Sequence, residues 1–317
     1  MVQARGADGM RRAQMAGTGR GGVTGTRSVC AARVPRIRHL PVLLPLMLAA
    51  CGDARDGIFF AAGPVAEAQR AHFFYILGWM AVAILPIFVA LPFVLWRYRY
   101  GRGRGRYAPE WESQRLLETV FWAVPVVIVV ALGVMLWRQT IRLDPYMPLG
   151  PDPMTVEVVA MDWKFLFLYP EEGVASVNTL TVPAGRPLRF VLTSATVMQS
   201  FVVPRLGGQI YAMGGMVTEL NLQADAPGVF RGQNTQYNGE GFAQQKFEMT
   251  AMAPDAFDAW LARTRADAPP LTPEVWQSLD TRATADPAVY SAYPPGLFGR
   301  VVDTTLGTGS HHGGAGQ

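Results

Sequence analysis

The stretch Leu117–Trp137 reads LETVFWAVPVVIVVALGVMLW and decides the fold of this chain. From Thr119 to Trp137 it holds 19 residues without a charge, which is about the length that an α-helix needs to cross a bilayer. Pro125 interrupts the run, but a proline is tolerated in a membrane helix whose neighbours satisfy the freed backbone groups. The sequence therefore predicts a transmembrane helix over 119–137.

A second uncharged run lies upstream, from Phe73 to Trp96, and its 24 residues predict another transmembrane helix over 73–96. The loop between them, 97–118, carries arginines and no lysine; they are Arg97, Arg99, Arg102, Arg104, Arg106 and Arg115. Short loops this basic stay in the cytoplasm, so both ends of the hairpin should lie outside. The hairpin is expected to occupy 51–137.

The N-terminal 50 residues have the layout of a signal peptide. Basic residues lead into the apolar run Leu40–Ala50, which is too short to span a bilayer. It ends in Leu48-Ala49-Ala50-Cys51, which resembles the lipobox of bacterial lipoproteins. That resemblance implies that 1–50 is removed and that Cys51 is lipidated, and the alternative is a free or buried thiol.

After a linker over 138–153 that is rich in proline and glycine, short runs alternate with period two, as strands do. Seven strands are predicted, at Met154–Ala160, Trp163–Tyr169, Val174–Val182, Leu188–Thr193, Phe201–Val203, Val217–Leu222 and Phe247–Met252. They predict a Greek-key β-domain over 154–253. An aromatic-rich extension follows over 254–303, with helices at Pro254–Arg265 and Pro273–Leu279, and the glycine-rich tail 304–317 is predicted to be disordered.

Composition narrows the functional classes. The net charge of +4 comes from arginines that flank the hydrophobic segments, which indicates membrane topology rather than binding of nucleic acid. Both cysteines, Cys30 and Cys51, precede the first folded segment, and no cysteine or histidine occurs between Phe73 and Ser310. The β-domain therefore has no thiolate or imidazole with which to hold a metal.

Three segments carry a resemblance to subunit II of the haem-copper oxidases. Leu117–Pro125 is similar to the start of that family's second helix. Thr193–Pro204 and Gly232–Gly239 are similar to the two segments that hold its binuclear copper centre. The resemblance runs from about Cys51 to Val302, and it implies a membrane-anchored α+β protein: a two-helix transmembrane hairpin, an all-β cupredoxin-like Greek-key domain and a short helical C-terminal extension.

The resemblance also locates six positions that would hold copper in a cytochrome c oxidase. The family's histidines fall on Gln199 and Phe242, its two cysteines on Asn234 and Asn238, its carbonyl-donating glutamate on Gln236 and its methionine on Gln245. All six are replaced. Amide and aromatic side chains cannot supply bridging thiolates or imidazoles, so the resemblance implies a domain that does not bind copper in this way.

Four segments are similar to the quinol oxidase branch of the family. They are Asp162–Pro170, Pro204–Met213, Tyr237–Phe242 and the aromatic end from Trp276 to Phe298. The resemblance implies a non-catalytic subunit of a proton-translocating ubiquinol oxidase in the bacterial inner membrane, with its C-terminal domain in the periplasm. Its partners would be subunits I, III and IV, and the haems and copper would belong to subunit I, with no role for cytochrome c. The alternatives are a degenerate cytochrome c oxidase subunit II and a stand-alone lipoprotein for adhesion or assembly.

Glu118 is the ionisable residue with a candidate mechanistic role. It stands seven residues before Pro125, at the cytoplasmic start of the second helix. In the family, a glutamate with this spacing lies at the mouth of a proton-uptake path into the large subunit. The alternative is that Glu118 only complements the positive end of the helix dipole.

Overall fold

The computed structural model of the chain describes residues 57–99, 109–110 and 114–309. Two long apolar helices come first, α1 (Pro64–Arg97) and α2 (Arg115–Arg142). Both are long and apolar enough to cross a membrane. Cys51 and the middle of the arginine-rich loop lie outside the described residues.

Both helices extend beyond the uncharged runs that predicted them. α1 begins at Pro64 rather than Phe73, and α2 runs from Arg115 to Arg142 rather than over 119–137. The predicted limits are wrong by up to nine residues because charge marks where the hydrocarbon ends, whereas helical hydrogen bonding continues into the polar interface. Glu118 consequently lies in the first turn of α2 and not in the preceding loop.

Eleven strands form two sheets after the hairpin. They are β1 (Met154–Met161), β2 (Lys164–Tyr169), β3 (Val174–Val177), β4 (Thr179–Pro183), β5 (Leu188–Ser194), β6 (Gln199–Val202), β7 (Gln209–Ala212), β8 (Thr218–Leu222), β9 (Gly228–Gln233), β10 (Lys246–Met252) and β11 (Ala288–Tyr290). One sheet has the order β11-β3-β2-β1-β5-β8, and the other has the order β4-β10-β9-β6-β7. β1 pairs with β5, and β10 with β4, in parallel, while the remaining pairs are antiparallel.

The continuous strand predicted over Val174–Val182 is wrong, because it breaks at Asn178. Asn178 has a positive φ of 52°, a conformation that asparagine tolerates better than most residues. Its side-chain oxygen accepts a hydrogen bond from the Phe165 amide at 2.9 Å. The break lets β3 stay in the first sheet while β4 crosses to the second.

Every residue of β2 is buried, which explains its unbroken apolar sequence. Phe165, Phe167 and Tyr169 point into the core between the two sheets. Leu166 and Leu168 point to the opposite face, where the C-terminal extension covers them. A strand that is covered on both faces loses the polar alternation of a half-exposed strand.

The extension contains α3 (Pro254–Asp267), α4 (Pro273–Leu279) and α5 (Leu297–Gly309). α5 packs on the first sheet through Leu297, Phe298 and Val301. The disordered tail predicted from residue 304 is wrong as far as Gly309, because the helix continues through it. Contact with the β-domain outweighs the glycine content here: the Gly215 amide donates to Thr305 Oγ1 at 2.7 Å.

The hairpin is joined to the β-domain by backbone hydrogen bonds. Just before α1, the Ala62 amide donates to the Arg205 carbonyl at 2.8 Å, and the Asp225 amide donates to the Ala62 carbonyl at 3.0 Å. After α2, Asn221 donates to the Pro145 carbonyl from both its backbone and its side-chain nitrogen. The predicted fold class, a transmembrane hairpin followed by an all-β domain and a helical extension, is confirmed.

Candidate functional site

All six positions predicted from the copper-binding segments lie at one end of the second sheet. Gln199 begins β6, Asn234 directly follows β9, and Gln245 directly precedes β10. Because β9 lies between β6 and β10 and runs antiparallel to both, these three points fall at the same edge. Gln236 and Asn238 belong to the loop that leaves β9.

Gln245 is the centre of a buried amide cluster, which we define as Gln199, Asn234, Asn238 and Gln245. Its side-chain oxygen accepts hydrogen bonds from the Asn234 and Asn238 amides, each at 2.8 Å. Its side-chain nitrogen donates to the Gln199 side-chain oxygen and, at 3.1 Å, to the Met161 carbonyl. One glutamine thus links β6, the loop after β9 and the end of β1.

Asn234 extends the cluster toward the loop. Its side-chain oxygen accepts from the backbone amides of Ser200 at 2.9 Å and Gln236 at 2.8 Å. Its side-chain nitrogen also donates to the Gln236 carbonyl at 2.8 Å. The hydroxyl groups of Ser200 and Thr235 lie 2.7 Å apart. The turn is therefore closed by hydrogen bonds within the protein.

Phe242, the sixth position, joins the amide cluster through its backbone, because its carbonyl accepts from the Gln245 amide at 3.2 Å. It is half-buried and lies against Tyr237, with the ring centroids 5.6 Å apart. Tyr237 is 73% exposed, so this aromatic pair lies at the surface beside the cluster. The resemblance located the position of Phe242 along the chain but not the direction of its side chain.

Trp163 packs against the same loop from the first sheet. It lies in the turn between β1 and β2 with a positive φ of 68°. A Cβ atom on Gly241 would lie 2.1 Å from its ring, so only glycine allows this approach. The Arg282 guanidinium lies 5.2 Å from the centroid of the same ring, within the range of cation–π attraction. The C-terminal extension therefore covers part of this tryptophan.

Lys164 is a buried cation next to the cluster that the sequence did not single out. Its ammonium donates to the carbonyls of Ala283 at 2.6 Å, Thr281 at 2.8 Å and Asp162 at 3.2 Å. Loss of solvation lowers the pKa of Lys164, and the carboxylates of Asp162 and Asp280 oppose that shift. In the sequence, Lys164 is recognisable only as a lone lysine in an apolar strand. In the structure, its hydrogen bonds hold the C-terminal extension against β2.

Glu118 lies apart from the amide cluster, in the first turn of α2, and it is exposed. Its backbone amide donates to the Gln114 carbonyl at 3.0 Å. Across the described ranges 57–99, 109–110 and 114–309 no group of three or more histidine, cysteine, aspartate or glutamate residues is placed to hold a metal ion. The side-chain amides of the cluster bond to one another and to neighbouring groups, apart from Asn238 Oδ1, which has no hydrogen-bond partner in the described part of the chain. The cluster contains no thiolate or imidazole, the ligands that a binuclear copper centre uses.

Comparison with known proteins places these features in a family. Residues 164–248, which include the amide cluster, match the family described as cytochrome c oxidase subunit II, periplasmic domain. The chain is 37% identical over 275 residues to cytochrome bo(3) ubiquinol oxidase subunit 2 of Pseudomonas putida, covering 86% of this chain and 87% of the relative. It is 35% identical to the protein of that name in Pseudomonas aeruginosa, covering 88% and 83%. It is 36% identical to ubiquinol oxidase subunit 2 of Acetobacter aceti, covering 86% and 88%.

Proposed function

Because the chain belongs to the family of quinol oxidase subunit 2 proteins, we propose that it is the non-catalytic, integral subunit II of a proton-translocating oxidase that oxidises ubiquinol and reduces oxygen to water. The observation that carries the proposal is the amide cluster, whose residues stand at positions that the resemblance aligns with the copper ligands of cytochrome c oxidases. The names of the three relatives support ubiquinol as the substrate of the complex.

We propose that this chain carries no redox centre. Thiolates and imidazoles are the ligands that let two copper ions share an electron, and the β-domain contains neither. The side-chain amides of Gln245 and Asn234 form hydrogen bonds that join three segments, so their polar atoms already have partners. Electrons then have no path from cytochrome c through this domain, and the haems and copper belong to subunit I.

The role left to the chain is structural. The apolar side chains of α1 and α2 are largely exposed in the isolated chain, which suits helices that face lipid or neighbouring subunits. Backbone hydrogen bonds tie the β-domain to the outer ends of both helices. The hairpin would anchor the chain beside subunit I, and the β-domain would cover the outer face of a complex that includes subunits III and IV.

Cys51 is the proposed lipidation site. It lies seven residues before Ile58, where the first described turn begins, and six residues before the first described residue. The sequence before it supports cleavage after Ala50 and acylation of the new N-terminus. The mature protein would then be a two-span membrane protein of the bacterial inner membrane with a lipid anchor and a periplasmic β-domain.

The experiment that tests the proposed function is purification of the complex in mild detergent through a tag on this chain. Haem absorbance should follow the tag, and oxygen uptake should occur with ubiquinol and not with reduced cytochrome c. Turnover with cytochrome c would show that the argument from the copper ligands is wrong. A preparation without haem would instead favour the stand-alone lipoprotein.

We also propose that Glu118 lies at the mouth of a proton-uptake path. It is exposed on α2, where a groove of the helix surface is lined by Glu118, Thr119 and Trp122. A carboxylate at the cytoplasmic end of a membrane helix can pass protons to a partner subunit that covers this groove.

Replacing Glu118 by glutamine is therefore expected to lower ubiquinol-driven oxygen uptake and proton pumping several-fold, because the amide cannot carry a proton. Both quantities can be measured in proteoliposomes. Glu110→Gln, at an exposed glutamate that precedes α2, is the matched control and should leave both unchanged. Normal oxygen uptake and proton pumping in the Glu118→Gln variant would show that Glu118 takes no part in proton uptake. Its role would then be limited to the interaction with the helix dipole.

A further inference from the structure

A cavity of about 270 Å³ lies where the membrane hairpin meets the β-domain. The start of α1 forms one wall through Val65 and Gln69, and the end of α2 forms another through Arg142. The floor comes from β8, through Leu220 and Asn221. Because α1 begins and α2 ends beside the periplasmic domain, the cavity lies at the outer boundary of the membrane.

The walls of this cavity are held by hydrogen bonds. Asn221 fixes the segment after α2 by donating to the Pro145 carbonyl from its backbone nitrogen at 3.0 Å and its side chain at 2.9 Å. Within that segment the Tyr146 amide donates to Asp144 Oδ1 at 3.0 Å, and the Met147 amide donates to the Asp144 carbonyl at 3.0 Å. The cavity is therefore part of the folded junction.

Two opposite charges line the cavity. Arg142 is the last residue of α2, and Asp144 follows two residues later. Both are exposed, and within the described part of the chain neither forms an ion pair. The rest of the lining combines apolar side chains, among them Val65, Leu143 and Met147, with the polar side chains of Gln69, Gln209 and Asn221. A ligand that matches this lining carries one positive charge, one negative charge and an apolar part.

We propose that the cavity binds the headgroup of a zwitterionic phospholipid of the outer leaflet whose positive end is a primary ammonium, as in phosphatidylethanolamine. The Arg142 guanidinium would donate two hydrogen bonds to the lipid phosphate. The carboxylate of Asp144 would accept from the ammonium, which has three N–H groups to donate. The first carbons of the lipid would lie against Val65 and Met147, where the hydrocarbon begins.

The charges discriminate between headgroups. Phosphatidylglycerol has no cation for Asp144, so its phosphate would pair with Arg142 and leave the Asp144 carboxylate without a partner. Phosphatidylcholine has a cation, but its trimethylammonium has no N–H with which to bond that carboxylate. The inference goes beyond the proposed function, because headgroup binding does not require that the complex oxidise quinol.

The test is native mass spectrometry of the full chain in detergent, titrated with one lipid at a time. Phosphatidylethanolamine should bind at the first site about tenfold more tightly than phosphatidylcholine or phosphatidylglycerol, as expected for one added charge-assisted hydrogen bond. Equal affinities for the three lipids would overturn the proposal. Glycerophosphoethanolamine without acyl chains should not compete, and tight binding of it would mean a site for a soluble phosphoamine rather than a lipid.

Variants assign the effect to the cavity. Arg142→Gln should weaken binding of all three lipids, and Asp144→Asn should remove only the preference for phosphatidylethanolamine. Arg263→Gln, at an exposed arginine of α3 in the C-terminal extension, is the control and should bind as the unmodified chain does. Unchanged binding in both cavity variants would place the lipid elsewhere. The two side chains are exposed, and equal unfolding midpoints would show that the variants fold normally.

Discussion

Replacing Gln245 by leucine is expected to destabilise the β-domain by about 4 kcal/mol, because a buried donor or acceptor left without a partner costs about 1–3 kcal/mol. Leucine has a similar size but no amide. The substitution would remove the acceptor used by both Asn234 and Asn238, and the donor used by Gln199 and the Met161 carbonyl. The energetic cost would be largest at Asn238, since its side-chain oxygen already lacks a hydrogen-bond partner in the described structure.

Thermal unfolding of the full chain, followed by near-ultraviolet circular dichroism, measures this effect. A loss of about 4 kcal/mol corresponds to a fall of about 10 °C in the midpoint for a domain of this size. Gln244→Leu is the matched control, because Gln244 is the neighbouring residue and is exposed. A midpoint equal to that of the control would show that the amide cluster does not stabilise the fold.

Replacing Gly232 by alanine is expected to destabilise the domain by about 3 kcal/mol, at the upper end of what one overpacked methyl group costs in a core. Gly232 lies opposite Phe247 in the pairing of β9 with β10. An added Cβ would lie 1.9 Å from the Phe247 ring. That ring stacks on Phe201 at 5.1 Å and also contacts Phe165 at 5.2 Å, so moving it would disturb both of these ring contacts.

The control for this prediction lies in the same strand. Gly228 also belongs to β9, but an added Cβ there would meet Phe230 at 3.4 Å, which is an ordinary contact. Gly228→Ala should therefore change the unfolding midpoint by only a few degrees, whereas Gly232→Ala should lower it by about 8 °C. Combining Gly232→Ala with Phe247→Leu should cost less than the sum of the single substitutions, because the smaller side chain relieves the overlap. Additive losses would show that Phe247 is not the cause.

Several elements were predictable because their signal is local. The two membrane helices follow from the length of uncharged sequence, which is a property of each segment alone. α4 was predicted with its observed limits, since Thr272 caps it and Pro273 begins it. The six positions taken from the copper-binding segments do meet in space, Phe242 through its backbone. They could be located because the chain resembles those segments in spacing, although the residue types at the six positions differ.

Other elements carry too little local signal. β7 is a four-residue edge strand, β9 contains two glycines, and β11 has three residues, so none of them was predicted. β9 exists because β6 and β10 lie on either side of it and supply its hydrogen bonds. The buried state of Lys164 likewise depends on carbonyls from Thr281 and Ala283, more than a hundred residues away.

The sequence by itself determined the membrane hairpin, the presence of a β-domain and the absence of thiolate and imidazole ligands within it. Each of these depends on which residues are present and on their hydrophobicity over short stretches. Only the tertiary structure decided that the side-chain amides of the cluster bond to one another. Gln199 and Gln245 are 46 residues apart, and their amides meet because the pairing of β6, β9 and β10 brings three distant segments to one edge. The cavity between Gln69 and Arg142 arises in the same way, from two helix ends that the β-domain holds together.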